Sequence, residues 1–107
     1  MTLTVGDWLG ARVPVPPAAL VERMRRALGE ALGAPATEAH EHCLAAAERL
    51  VRDLSDARLE ERAAALDLLA ADALATYALE AAADDPSSLD RRADEAMRRL
   101  SALGASE

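Results

Sequence analysis

Apolar residues recur every three to four positions along most of the chain, which is the spacing of helices that are buried on one side. One apolar stripe begins after Pro17 and ends at Gly33, and a second follows Thr37 and ends near Leu54. The third and longest stripe ends before Pro86, and a fourth follows that proline. The pattern predicts a short helix at 5–11 and main helices at about 17–33, 37–54, 57–83 and 86–103.

Capping and breaking residues agree with these boundaries. Thr4 and Asp7 have the spacing of a capping box, and the prolines at 14, 16 and 17 predict a stiff, extended connector. Gly33 is a natural helix stop. Gly29 lies inside the predicted 17–33 helix, where glycine is less favourable than alanine by about 1 kcal/mol.

Composition agrees with a fold made of helices alone. The 107 residues include 27 alanines and 17 leucines, whereas β-branched residues are scarce, and this balance favours helix over strand. A chain of this length is the size of one domain. Four amphipathic helices joined by short loops predict an all-α, antiparallel four-helix bundle with a short extra N-terminal helix, spanning 1–107 as a single domain.

The predicted 57–83 helix is apolar on more than one side, so it must be covered on more than one side. Besides its main core face, it carries a second series of small and medium side chains at heptad-like spacing. We predict that this series is an interface with a second copy or with another protein. Trp8, on the short N-terminal helix, is the alternative cover from within the chain. The predicted interface set is Leu68, Ala71, Ala75, Leu79 and Trp8.

Charge and cysteine usage limit the partners and the setting. The net charge is −7 and the acidic residues are concentrated on the predicted 57–83 helix, which disfavours nucleic acid and anionic membranes as partners. No apolar stretch reaches the roughly 18 residues of a membrane span. The first nine residues lack the features of a secretory signal, and a single cysteine fits a reducing cytoplasm. Arginine in place of every lysine, together with abundant alanine, is typical of a GC-rich bacterial source.

One short segment holds residue types that bind metals. His40, His42 and Cys43 lie within four residues of one another, and imidazole with thiolate suits zinc, copper or iron. The helix separates them, since His40 and Cys43 face the core stripe while His42 lies four residues after Glu38 on the outer flank. The alternative interpretation is therefore a buried cysteine and a surface Glu38–His42 pair.

The function that we predict first is a non-enzymatic interaction module without a cofactor, because no phosphate-binding loop, nucleophile elbow or paired catalytic set is visible. Its partner is a second copy or another protein. The alternative is a sensor that binds a transition metal or haem through His40 and Cys43. A third possibility is a small-molecule pocket among the helices, lined by alanines and Tyr77.

Overall fold

Five α-helices and three 3₁₀ turns account for most of the described chain in a computed structural model covering residues 3–56, 61–84 and 86–105. The helices are α1 (Val5–Gly10), α2 (Ala18–Leu28), α3 (Ala39–Asp56), α4 (Glu61–Ala83) and α5 (Leu89–Ala105). No β-strand occurs in these ranges, apart from an isolated bridge between Thr4 and Pro35. The predicted all-α bundle is confirmed.

Helices α3 and α4 form the central pair of the bundle, and α2 and α5 each pack against both of them. Small side chains let the two central helices approach closely, because Ala46, Ala47, Ala70 and Ala78 are almost completely buried. Leu44 and Leu74 fill the larger spaces between them. In the described part of the chain, no helix combines the length and the apolar character needed to cross a membrane.

Two arginines form ion pairs that connect the outer helices to the central pair. Arg23 of α2 donates from Nε to Asp67 Oδ1 of α4 at 2.6 Å. Arg99 of α5 donates from Nε to Glu48 Oε1 of α3 at 2.6 Å, and its Nη1 lies 3.0 Å from Glu41 Oε1. These charged groups therefore fix the positions of α2 and α5 at the edge of an alanine-rich core.

The short helix α1 is attached to the chain between α2 and α3. Its predicted capping box is present, since Asp7 N–H donates to the Thr4 hydroxyl and Thr4 N–H donates to the Asp7 carboxylate, both at 3.1 Å. Backbone hydrogen bonds of 2.8 Å join Val5 N–H to Ala34 O and Ala36 N–H to the Leu3 carbonyl. This attachment leads α1 back onto the bundle.

The predicted helix at 17–33 is wrong over its last five residues. Helix α2 ends at Leu28, and a 3₁₀ turn follows from Gly29 to Gly33. Gly29 has φ +54° and ψ −125°, a backbone conformation that residues other than glycine rarely adopt. Glycine at this position therefore terminates α2 and redirects the chain.

The other boundaries shift by smaller amounts. A 3₁₀ turn at Ala36–Glu38 precedes α3, which then continues to Asp56, beyond the predicted 37–54. The third 3₁₀ turn, at Pro86–Ser88, precedes α5, which runs through Gly104 rather than stopping at 103. Helix α4 ends at Ala83 as predicted, and the predicted start of that helix at 57–60 lies outside the described residues.

Candidate functional site

His40 is buried against α4. Only 5% of the residue is exposed, and its Nδ1 lies 2.8 Å from the Ala78 carbonyl oxygen. Because a carbonyl only accepts, Nδ1–H is the donor in this contact. Nε2 is buried and has no hydrogen-bond partner among the described residues. His40 therefore connects α3 to α4 through one nitrogen.

Cys43 lies one turn further along α3 and is fully buried in the apolar core. Burial raises the pKa of its thiol from 9.0 to about 12, because a low-dielectric environment disfavours the thiolate. The thiolate is the form that binds metals and acts as a nucleophile. Cys43 is consequently a packing residue at neutral pH.

The structure does not bring His40 and Cys43 into a ligand set. In the described ranges, no group of three or more histidine, cysteine, aspartate or glutamate side chains is arranged to hold a metal ion. His42 points elsewhere, with its Nε2 at 3.0 Å from Glu38 Oε1 on the surface. The Glu38–His42 pair expected from the i, i+4 spacing is confirmed, whereas the metal hypothesis gains no support from this geometry.

The predicted interface residues on α4 do not share one free surface. Leu68 and Leu79 are 59% and 40% exposed, but Ala71 is only 4% exposed and Ala75 is half-buried. Helix α4 packs against α2, α3 and α5, and the burial of Ala71 places it on a side of α4 that packs within the bundle. Ala71 therefore belongs to the core and not to an interface.

The exposed residues of α4 form a continuous strip that sequence analysis identified only in part. We call this strip the outer face of α4. Leu69, which the heptad pattern left out, is 57% exposed there, beside Leu68. Side chains that project outward at positions three to four apart align on one face of a helix. The outer face consists of Ala65, Leu68, Leu69, Asp72, Thr76, Leu79, Glu80 and Ala83.

Trp8 packs on a different side of α4. Its ring meets the Tyr77 ring edge to face, with centroids 6.2 Å apart, and its Nε1–H donates to Asp84 Oδ2 at 3.2 Å. The Arg12 guanidinium lies over the indole, 4.1 Å from the ring centroid. Trp8 is thus an anchor for α1, and it leaves the leucines of the outer face exposed rather than covering them.

A groove between α2 and the connector that precedes it was not predicted from the sequence. Its open part has a volume of about 740 Å³, and a smaller cavity of about 110 Å³, here called the inner cavity, lies beside it. Tyr77 lines the inner cavity together with Leu9 and Met24; among the described lining residues the single alanine is Ala18, in the open part. The only sequence signal was the pair of valines among the prolines of the connector, which the periodicity assigned to no helix.

Comparison of the chain with protein-family models, with curated proteins and with solved structures gave no match. Two surfaces of the structure are therefore the candidates for a binding function: the outer face of α4 and the groove beside α2.

Proposed function

We propose that this protein is a non-enzymatic helical module that self-associates through the outer face of α4. The observation that carries the proposal is the exposure of three leucines on one face of one helix, where Leu68 and Leu69 are each more than half exposed. Contiguous exposed apolar side chains are typical of interaction sites. The burial of Cys43, with a thiol pKa of about 12, keeps the only cysteine out of nucleophilic chemistry.

The arrangement of side chains on the outer face favours a second copy as the occupant. Suppose that two α4 helices pair antiparallel about a two-fold axis at the level of Leu74. Residues that are equally far from Leu74 along the helix, one before it and one after it, then lie opposite each other. This register sets Leu69 against the partner's Leu79, and Ala65 against the partner's Ala83. Asp72 then faces a threonine hydroxyl instead of another carboxylate, and Glu80 faces an aliphatic side chain. A self-complementary pattern of this kind is what a two-fold interface requires.

The size of the face predicts a weak, reversible dimer. Helix α4 has 23 residues, so it offers a strip about 34 Å long and about 10 Å wide. Stable interfaces bury about 800 Å² of each partner, which is more than this strip provides alone. We therefore expect a dissociation constant in the micromolar range, with association that depends on protein concentration.

Sedimentation equilibrium across a range of protein concentrations tests the proposal. We expect the wild-type chain to move from monomer to dimer, and we expect Leu79→Glu and Leu69→Glu to remain monomeric because each variant places a charge opposite an apolar side chain of the partner. Both positions are exposed, so the variants should fold, which circular dichroism would verify.

Met97→Glu is the matched control. Met97 is 60% exposed on α5, away from the outer face, and the same change there should leave the dimer intact. A wild-type chain that stays monomeric at every concentration, or a dimer that tolerates both leucine substitutions, would contradict the proposal.

The proposed setting is a bacterial cytoplasm, and nucleic acid is not among the proposed partners. A single buried cysteine suits a reducing compartment, and alanine- and arginine-rich composition suits a GC-rich bacterial genome. The net charge of −7 repels nucleic acid.

A further inference from the structure

The groove beside α2 is open to solvent and mainly apolar. Its walls come from Val15 and Pro16 of the connector and from Ala18 and Val21 of α2. Val15, Pro16 and Val21 also line the inner cavity, so the two spaces are adjacent. A volume of about 740 Å³ lies within the range of small-molecule sites.

The connector holds this apolar wall in place without help from a ligand. Val15 is 75% exposed. Its backbone is nevertheless restricted, because the prolines on either side of it have fixed φ angles. A rigid wall reduces the entropy that binding would cost. The groove is therefore shaped for an apolar molecule before that molecule arrives.

Positive charge surrounds the groove in a protein whose net charge is −7. Arg25 and Arg26 line it, both are exposed, and neither forms an ion pair within the described ranges. Arg12 lines the inner cavity; its Nη1 lies 3.8 Å from Glu80 Oε2, whereas its Nε is buried without a hydrogen-bond partner in the same ranges. Glu22 is the one acidic residue in the lining of the groove. This local excess of arginine is complementary to an anion.

We propose that the groove binds an amphipathic anion, namely a carboxylate at the end of a narrow, flexible apolar chain. Arg25 lines both the groove and the inner cavity, and its guanidinium group suits bidentate contact with the carboxylate. The apolar chain lies along Val15, Pro16 and Val21. The inner cavity, at about 110 Å³, is smaller than the roughly 150 Å³ cavity that holds benzene, so it favours a linear chain over a ring.

Isothermal titration calorimetry with decanoate, below the concentration at which decanoate forms micelles, tests the proposal. We expect saturable binding with one decanoate per chain and a change in the fluorescence of Trp8, the only tryptophan, which contacts Arg12 and Tyr77 beside the cavity. Decanol, which has the same chain without the charge, should bind about tenfold more weakly or worse, because it cannot form charge-assisted hydrogen bonds.

Arg25→Glu should weaken decanoate binding about tenfold or more. Arg91→Glu is the control for net charge, since Arg91 is an exposed arginine on α5 that lies outside the groove and forms no ion pair with the part of the chain that the structure describes. Val15→Asp should also abolish binding, whereas Val13→Asp should not, because Val13 is 85% exposed on the same connector but lines neither space. All four positions are exposed, so the variants should remain folded.

Vesicles of phosphatidylcholine with phosphatidylglycerol distinguish a free amphipath from a lipid surface. We expect the protein to bind monomeric decanoate and to stay in the supernatant when the vesicles are sedimented. Sedimentation with the vesicles without binding of decanoate would overturn the proposal in favour of a membrane surface. Absence of saturable decanoate binding, or equal binding by the Arg25→Glu and Arg91→Glu variants, would overturn it outright.

Discussion

At the scale of single residues, Gly29 determines where α2 ends. The apolar stripe continues beyond it to Leu32, and for that reason the sequence pattern predicts one helix up to Gly33. The backbone at Gly29 instead has φ +54° and ψ −125°, which places the next residues in a 3₁₀ turn. Arg49 of α3 reinforces this ending, since its Nη2 donates to the Ala27 carbonyl at 2.8 Å.

Replacing Gly29 with alanine should destabilise the fold by about 1–3 kcal/mol, because alanine is strained in this backbone conformation. Beyond the adjoining backbone and the two neighbouring residues, no heavy atom of the described residues lies within 4 Å of the position where the new Cβ would be, so the loss would come from the backbone and not from a clash. Urea denaturation followed by circular dichroism measures the free energy of unfolding.

Gly33→Ala is the control for the Gly29 prediction. A Cβ at Gly33 also has open space around it, and its φ is not positive. This substitution should leave stability unchanged or raise it by about 0.4–1 kcal/mol through the unfolded state. Equal stabilities for the two variants would show that Gly29 is not required for the turn.

At the scale of elements, the position of α5 depends on Arg99. Its guanidinium donates from Nε and Nη2 to Glu48 of α3 and from Nη1 to Glu41. The Glu48 side chain is only 14% exposed, whereas the Glu41 side chain is 57% exposed. Glu48 therefore makes the larger contribution, because solvent screens the contact with Glu41.

Arg99→Leu should destabilise the protein by about 1–3 kcal/mol, since the Glu48 carboxylate loses its hydrogen bonds from Arg99 and keeps the 3.7 Å contact with Arg52 while remaining mostly shielded from water. Thermal unfolding of Arg99→Leu, Glu48→Leu and the double variant measures the coupling. Arg98→Leu is the control, because Arg98 is exposed and, within the described ranges, contacts the Asp94 carbonyl alone, at 3.4 Å. If the two single losses simply add in the double variant, the contact contributes nothing to stability.

The elements that could be predicted from the sequence are those set by local signals. The capping box at Thr4 and the i, i+4 pair of Glu38 with His42 depend on spacing alone, and both are present. The partners of Arg99 and Trp8 lie 51 and 76 positions away in the chain, so no local pattern contains them. The outer face of α4 was predicted only in part, because an even distribution of apolar residues does not reveal which sides have neighbours.

At the scale of the whole molecule, the absence of lysine means that few side chains can change the stability of the fold at alkaline pH. All twelve basic residues are arginine, so above pH 9 the groups that titrate before arginine are cysteine and tyrosine. Burial raises the pKa of Cys43 to about 12. Burial, and to a lesser extent the neighbouring Glu80, also raises the pKa of Tyr77.

Stability should therefore fall as the pH rises from 9 towards 12. In this window the unfolded chain loses the Cys43 proton while the folded chain keeps it, so the unfolded state binds fewer protons. The loss should be up to about 1.4 kcal/mol per pH unit from Cys43 alone. Urea denaturation at a series of pH values measures the slope.

Cys43→Ala should have a flatter slope over the same pH range, even though the smaller side chain lowers its stability at every pH. Tyr77→Phe should flatten the slope to a smaller extent, because the tyrosine side chain is less deeply buried. Identical slopes for wild type and Cys43→Ala would mean that the thiol ionises as easily in the folded protein as in the unfolded chain.

The groove beside α2 shows why the candidate sites were the hardest part to predict. Val15 and Arg25 come close together only because the connector folds back along α2, and the sequence signals for these residues are a proline-rich stretch and a solvated helix face. The His40–Cys43 cluster shows the opposite case, because residues close in the sequence are separated by the helix that holds them.

The contact between Trp8 and Asp84 joins two residues that are synthesised far apart in time. Translation makes α1 before the other described helices, whereas the acceptor for the indole N–H follows α4, so this hydrogen bond forms only after α4 has been made. Until then α1 depends on its backbone hydrogen bonds with Ala34 and Ala36, which become available much sooner. Trp8 therefore completes the attachment of α1 only once the chain through Asp84 has been made.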